Sequence, residues 1–269
     1  MTTLPTSDTQ LWLLGSGSSG NALAIAHGDD ILLVDAGYRL PVLVDRLRAA
    51  GLAPWYVSDV VLTHGHRDHV LGAAEGVCIY GWRVWGTLGT VWRWRALRDA
   101  RVRPFEPGER FDAGPFGVYT APTPHDVDDS AAVVVEAPGG GRVGVATDLG
   151  RATPAVRRLL GGVNVLVLEA NYEPELLKAG PYPPELQARV ASRTGHLSNQ
   201  QAARLARAVA HPALTHVVLA HISAQNNTPE LAVRRVRAAL VGTPFRGTVA
   251  AAPRHDVLGP IAVGRGASR

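Results

Sequence analysis

The stretch LTHGHRDHV, residues 62–70, crowds three histidines and one aspartate into six positions, directly after the apolar run DVVL. These side chains are His64, His66, Asp68 and His69. Imidazole nitrogens and carboxylate oxygens are ligand types that zinc, manganese and iron(II) accept. A single histidine is usually an ordinary surface or core residue, but packing alone does not explain four such side chains in one turn. The turn therefore predicts a metal site at the end of a strand.

The segments around this turn predict strands that alternate with helices. Apolar runs predict strands at 11–14, 22–26, 31–37, 57–64, 117–125, 131–137, 142–150, 163–171 and 215–223. Apolar spacing near 3.6 residues predicts helices at 39–52, 153–160, 198–211 and 228–242. Two such series favour an α+β fold in which two sheets pack together with helices outside. We expect a single domain over residues 11–269, preceded by a flexible segment at residues 1–10.

The composition limits the class of protein. The chain has 269 residues, 46% of them hydrophobic and 19% charged, which is typical of a compact globular protein. The net charge of +4 permits a phosphate-bearing partner without requiring one. The single cysteine, Cys78, excludes an intrachain disulfide, and no apolar window is long enough for a membrane span. The first ten residues lack the pattern of a secretory signal, so we expect a cytoplasmic protein with no membrane partner.

Three further candidate ligands each follow an apolar run. His125 follows VYTAPTP, Asp148 follows VGVAT, and His221 follows VVLA. Any one of these histidines, taken alone, would more often be structural. If the strands are aligned, however, their ends meet at one edge of the sheets, beside the turn at 62–70. Their shared position makes all three candidates for the same metal site.

Five features of the sequence resemble the motifs of the metallo-β-lactamase-fold hydrolases and occur in the same order. They are Asp35 in LLVDAG, the THGHRDH turn, His125, Asp148 and His221. The resemblance implies a four-layer αββα sandwich with the site at one edge, and two divalent metal ions. One ion would be held by His64, His66 and His125. The second would be held by Asp68, His69 and His221, with Asp148 bridging the two and Asp35 a buried supporting residue. These ligands accept zinc, manganese or iron.

Two residues outside this set are candidates for proton transfer. Glu169 lies in LEANYE and His196 in TGHLSNQQAA, so Glu169 could orient His196 while its imidazolium protonates a leaving oxygen. The alternative is that His196 belongs to a helix cap and Glu169 pairs with Arg189 or Arg193. We count His196, Glu169 and Asp68 as candidate catalytic residues. Because two divalent ions can lower the pKa of a shared water to near neutrality, the expected nucleophile is a metal-bridging hydroxide.

The stretches GSGSSGN, LEAN, GHLSN and LAHIS are similar to those of the YycJ/WalJ subgroup of this family. That subgroup is regarded as exonucleases that degrade double-stranded DNA from the 5′ end. The resemblance implies a two-metal phosphodiesterase with nucleic acid, here DNA, as its partner. Two alternatives stay open, namely a hydrolase of cyclic or other small esters, and a catalytically idle nucleic-acid-binding module. The sequence does not fix the oligomeric state or the physiological metal.

Two segments are candidates for holding a nucleic acid. The loop GSGSSGN, residues 15–21, either cradles a phosphate with its backbone N–H groups or is only a tight turn. The segment 80–103 interleaves four tryptophans with six arginines, which suit base stacking and phosphate contacts. Leu88, Val91 and Trp92 of this segment also fit the buried side of a helix.

Overall fold

The computed structural model describes residues 8–100 and 102–264, which form two seven-stranded sheets. The first sheet contains β1 (Gln10–Gly15), β2 (Ala22–His27), β3 (Asp30–Val34), β4 (Val57–Val61), β5 (Arg83–Gly86), β6 (Arg103–Pro104) and β14 (Leu258–Ala262). The second contains β7 (Arg110–Ala113), β8 (Phe116–Pro122), β9 (Ala131–Glu136), β10 (Arg142–Ala146), β11 (Val165–Glu169), β12 (His216–Ala220) and β13 (Thr248–Ala251). Their spatial orders are β14-β1-β2-β3-β4-β5-β6 and β13-β12-β11-β10-β9-β8-β7.

Helices cover the outer faces of both sheets. The helices of the first half are α1 (Leu40–Ala49), α2 (Arg67–Val70), α3 (Ala73–Tyr80), α4 (Leu88–Arg93) and α5 (Arg95–Asp99). Those of the second half are α6 (Pro154–Leu159), α7 (Pro174–Ala179), α8 (Pro184–Val190), α9 (Asn199–Ala208) and α10 (Pro229–Leu240). None of the helices within the described ranges has the length and apolar character needed to cross a bilayer.

Strand alternation builds the layers of the core. In β3, Val34 faces the layer between the sheets, whereas its neighbour Leu33 joins the outer layer that contains Leu43 of α1. In β11, Val167 faces inward, and Leu166 joins the outer layer under α9 and α10. Because successive side chains of a strand point to opposite faces, each strand serves two layers at once. The predicted αββα sandwich is confirmed.

Parallel pairing aligns the strand ends that carry the polar residues. Within the first sheet β3, β4 and β5 run parallel, and within the second β10, β11, β12 and β13 do so. The carboxyl ends of these strands therefore meet along one edge of the sandwich. In open sheets this edge is where ligand sites are built, because the connecting loops leave a crevice there.

Several element boundaries differ from the sequence-based expectations. The helix expected at 39–52 ends at Ala49, and Gly51 then adopts a left-handed conformation with φ of +77°. The strand expected at 57–64 ends at Val61, because the chain turns there toward Asp35. Five strands were not expected, namely β5, β6, β7, β13 and β14. Of the segment expected to be flexible, residues 1–7 lie outside the described ranges, while Thr9 is buried and bonded to His27.

The segment 80–103 places Leu88, Val91 and Trp92 in one helix, as their spacing suggested, but that helix is short. The segment contains β5 and two short helices, α4 and α5, with a break at Trp94. Trp92 is 66% exposed and Leu88 is 49% exposed, so the expectation that they line a buried face is wrong. Thr90 is the buried residue of α4 instead, where its backbone lies against Gly65 of the metal-capable turn.

Candidate metal centre

The candidate site lies along the carboxyl ends of the parallel strands. Asp35 follows β3, Asp148 follows β10 and His221 follows β12, and all three have left-handed backbone conformations, with φ of +63°, +57° and +50°. Such conformations are uncommon for residues other than glycine and cost roughly 1–3 kcal/mol each. Strain concentrated at three strand ends of one edge is typical of a functional site.

Three imidazoles converge at one end of the site, and we name them the histidine triad: His64, His66 and His125. Nδ1 of His66 lies 3.2 Å from Nε2 of His64 and 3.1 Å from Nε2 of His125. A tetrahedral cation with metal–nitrogen bonds of about 2.0–2.1 Å needs ligand nitrogens about 3.3 Å apart. The triad therefore has the spacing that a divalent cation requires.

The second ring nitrogen of each triad member faces a different neighbour. Nδ1 of His64 is 3.0 Å from Oγ1 of Thr63, and Nδ1 of His125 is 3.2 Å from the carbonyl oxygen of Gly195. Nε2 of His66 is 3.4 Å from Oδ1 of Asp126. A metal-binding imidazole needs such an outer contact, because it fixes the ring and leaves the other nitrogen unprotonated.

A second group, the mixed triad, consists of Asp68, His69 and His221. Oδ2 of Asp68 lies 3.6 Å from Nε2 of His69 and 3.7 Å from Nε2 of His221, and the group fits within 4.8 Å. Two buried carboxylates lie behind it. Oδ2 of Asp35 is 2.7 Å from Nδ1 of His69, and Oε1 of Glu169 is 3.2 Å from Nδ1 of His221.

Asp148 lies between the two triads. Its Oδ2 is 3.2 Å from Nε2 of His69, and its Oδ1 is 3.2 Å from Nδ1 of His221 and 3.9 Å from Nε2 of His125. Oδ2 of Asp148 and Nε2 of His221 are buried and have no hydrogen-bond partner among the described residues. Buried polar atoms are rarely left unpaired, so Oδ2 of Asp148 and the deprotonated Nε2 of His221 would suit a cation held between the triads.

His196 also lies beside Asp148 and is bonded to Glu169. Its Nδ1 lies 2.7 Å from Oε1 of Glu169 and 3.5 Å from Oδ1 of Asp148. Oε2 of Glu169 accepts hydrogen bonds from the backbone N–H groups of Leu149 and Leu197. The alternative pairing of Glu169 with an arginine is wrong, since its ion pairs are with His196 and His221, and Arg189 lies 3.5 Å from Asp126 instead.

A helix cap fixes the segment that carries His196. The side chain of Ser198 accepts a hydrogen bond from the backbone of Gln201, and the side chain of Gln201 accepts one from the backbone of Ser198. The capping box begins at Ser198, two residues after His196, and α9 follows from Asn199, so His196 directly precedes a fixed helix start. His196 is only 18% exposed in its side chain, with Glu169 fully buried behind it.

The two triads differ in their protonation. Burial lowers the pKa of His64 well below its usual value, with the neighbouring His69 adding to the effect, and burial also lowers the pKa of His66. In the mixed triad burial opposes protonation too, but Asp35 and Asp148 outweigh it and raise the pKa of His69. For His221, Asp148 is the largest of the carboxylate contributions that raise its pKa to about 10. Without metal, His69 and His221 are therefore protonated at neutral pH, whereas His64 and His66 are not.

The structure adds supporting residues that the sequence analysis missed. Nδ2 of Asn21 lies 3.1 Å from Oδ2 of Asp68 and 3.0 Å from Nε2 of His69. Oγ of Ser16 accepts a hydrogen bond from the backbone N–H of His221. The loop 15–21 thus braces the mixed triad from behind, and the amides of Gly17 and Gly20 are bonded within the loop. In the sequence, this supporting role is indicated only by Asn21, which ends a run of glycines and serines.

The family model described as the beta-lactamase superfamily domain matches residues 31–222. The chain is 29% identical over 227 residues to the exodeoxyribonuclease YycJ of Bacillus anthracis, covering 82% of this chain and 84% of that one. It is 26% identical over 239 residues to the exodeoxyribonuclease WalJ of Streptococcus pneumoniae serotype 2, with the same coverage.

Among solved structures, the metallo-β-lactamase fold protein YhfI from Bacillus subtilis has a TM-score of 0.71 at 18% identity. The similarity covers 93% of this chain and 99% of that one, and it shows the fold. The family match spans well over half of the chain and includes all of the strand ends described above. The chain therefore belongs to the β-lactamase superfamily, as a metal-dependent hydrolase with the metallo-β-lactamase fold.

Proposed function

We propose that the chain is a phosphodiesterase that acts on nucleic acid, as a 5′→3′ exonuclease on double-stranded DNA. Two curated relatives that match 82% of the chain are named as exodeoxyribonucleases, which supports DNA as the substrate. The observation that carries the chemical part of the proposal is the bonded pair of His196 and Glu169 beside Asp148. A nuclease needs a proton donor there, because an alkoxide is a poor leaving group.

We propose that the histidine triad holds one divalent cation, that the mixed triad holds a second, and that Asp148 contacts both. Zinc, manganese and iron suit this combination of imidazole and carboxylate donors. When bound, two such cations supply a water of lowered pKa and neutralise charge on a phosphodiester. The protein's part is to fix the donors, which Asp35, Thr63 and Glu169 do through the contacts described above.

His196 is suited to deliver the proton. Burial opposes its protonation, but Glu169 and Asp148 outweigh this and raise its pKa. The imidazolium therefore persists to higher pH than an ordinary histidine would allow. Nδ1 is bonded to Glu169, which leaves Nε2 as the atom that donates to a departing oxygen. We assign Glu169 a positioning role, since it is fully buried behind His196.

The test compares two substrates in the variant His196→Ala. On end-labelled duplex DNA, we expect the cleavage rate to fall by roughly 10²–10⁴-fold, because the alkoxide leaving group then lacks its proton donor. On a nitrophenyl phosphodiester, whose leaving group needs no proton, we expect a much smaller loss. The metal content, measured on the same preparations, should equal that of the unchanged chain.

Equal losses on both substrates would remove His196 from proton delivery. Turnover of the nitrophenyl ester with no degradation of linear duplex DNA, single-stranded DNA or RNA would instead favour the hydrolase of small esters. Labelling either the 5′ or the 3′ end of the duplex shows the direction, since a 5′→3′ enzyme releases the 5′ label first.

A further inference from the structure

A cavity of about 390 Å³ opens beside the mixed triad. Its polar lining comes from Ser18 and Ser19 of the loop 15–21, from Arg39 before α1, and from Arg67 and Asp68 at the start of α2. We name it the Arg39–Arg67 cavity. Its volume lies in the range of small-molecule sites and is large enough for a nucleotide unit.

The cavity is continuous with the site through Asp68. The side chain of Asp68 is 23% exposed, whereas the side chains of His69 and His221 are 0% and 5% exposed. The mixed triad therefore meets solvent on the side of Asp68, which is also a wall of the cavity. A nucleic-acid strand with one phosphodiester at the triads would continue across the opening of this cavity.

Both arginines of the cavity have free guanidinium groups. Arg39 and Arg67 are exposed, and neither makes a side-chain hydrogen bond or an ion pair with any residue in 8–100 or 102–264. The hydroxyls of Ser18 and Ser19 are likewise without a partner in those ranges. Arg46, close by on α1, differs, because it is bonded to the carbonyl of Leu14 and stacks on Tyr38. Two unpaired cations and two hydroxyls around one concavity suit an anion with several oxygens.

The walls of the cavity are held in place. The backbone N–H of Asn21 donates to the carbonyl of Asp68 over 2.8 Å, which ties the serine loop to α2. Gly20 has φ of +153°, and a Cβ there would lie 2.5 Å from Cε1 of Tyr38. Only glycine allows the loop to lie so close to this ring. The backbone walls of the cavity therefore need no rearrangement when it binds, and only the exposed arginine side chains become ordered.

We infer that the Arg39–Arg67 cavity binds a phosphate group of the substrate strand adjacent to the phosphodiester that is cleaved. The inference rests on the proposed function. The phosphate is either the terminal monoester of the strand or an internal diester, since both present the same oxygens to the guanidinium groups. The carboxylate of Asp68 does not repel it when a divalent cation neutralises that charge.

The test uses the metal-loaded double variant Arg39→Ala/Arg67→Ala on duplexes with a 5′-phosphate or a 5′-hydroxyl. We expect KM to rise roughly tenfold to 100-fold while kcat changes little, because hydrogen bonds to charged groups are lost. The slope of log KM against log salt should fall by about 0.9 for each phosphate contact removed. The matched control is Arg48→Ala/Arg234→Ala, which removes two exposed arginines elsewhere.

A larger rise in KM on the 5′-phosphorylated duplex assigns the cavity to the terminal phosphate, and equal rises on both duplexes assign it to an internal one. A KM and salt slope that match those of the control pair would overturn the cavity assignment while leaving the nuclease proposal intact. If the unchanged chain cleaves no nucleic acid with any of the three metals, the proposed function fails, and the cavity assignment fails with it.

Discussion

The histidine triad and the mixed triad lie side by side, but they balance charge in different ways. His64, His66 and His125 have imidazole donors only, and burial lowers the pKa of the first two. His69 and His221 have buried carboxylates behind them, which raise their pKa values. The comparison shows how neighbouring charges affect a metal site. Histidines without buried carboxylates behind them are neutral and can bind a cation directly. Histidines backed by buried carboxylates carry protons that a cation must displace.

Buried carboxylates explain why His69 and His221 of the mixed triad are protonated when no metal is bound. Asp35, Asp148 and Glu169 are each at most 2% exposed and lie within one small region. A buried anion without a countercharge is costly, because the protein interior solvates it poorly. Without metal, the imidazolium groups of His69 and His221 supply the countercharge. A divalent cation can take over this role only when the protons leave.

Among the substitutions, the largest effect is expected for Asp148→Asn, which removes the group that the two triads share. Asparagine keeps the shape and tolerates the left-handed backbone of this position. Loss of its charge should release metal from both triads and lower the cleavage rate by more than about 100-fold, since even outer-shell changes cost 10- to 100-fold. Metal analysis and DNA cleavage measure it, and the control is Asp112→Asn, an equal charge change at an exposed site. Wild-type metal content in Asp148→Asn would refute the shared role.

A change of pH is expected to affect metal binding at the two triads differently. His69 and His221 hold protons below their raised pKa values, so metal binding at the mixed triad should tighten as pH rises from 6 to 9. The gain is about tenfold per pH unit for each proton displaced. The lowered pKa values of His64 and His66 mean that these rings are already neutral, so neither should release a proton when the histidine triad binds metal above neutral pH.

Two variants separate these binding events. His66→Ala leaves the mixed triad to bind alone, and Asp68→Ala leaves the histidine triad. Calorimetry of zinc binding in buffers with different ionisation enthalpies counts the protons released. Equal proton release in the two variants would show that the charge difference between the triads is not real.

The sequence predicted much of this arrangement for a simple physical reason. Ligand-type side chains at the ends of apolar runs must meet when the strands are parallel and aligned, and His125, Asp148 and His221 do meet the turn at 62–70. Their roles as ligands stay predictions until metal is measured. The αββα layering was predictable in the same way, because it follows from strand alternation and helix periodicity.

What the sequence could not show depends on contacts between distant segments. Asn21 reaches Asp68 across 47 positions, and no local pattern indicates that contact. The strand β14 contains Gly259 and Pro260, residues that disfavour strands and are tolerated here at the edge of the sheet. The apolar spacing around Trp92 failed because α4 has only six residues, too few to bury a consistent face.

The smallest effect is expected for Asp126→Asn, which tests the outer contact of the histidine triad. Oδ1 of Asp126 lies 3.4 Å from Nε2 of His66, longer than a good hydrogen bond, and its other oxygen is 3.5 Å from Arg189. We expect zinc affinity at the histidine triad to fall by about tenfold, the low end for an outer-shell residue. Competition with a chelator in the Asp68→Ala background measures this zinc affinity.

The same substitution in the His66→Ala background is the control, where zinc affinity at the mixed triad should not change. A loss there instead would mean that Asp126 acts on the whole site through charge, and the distinction between the triads would be weaker than their geometry indicates.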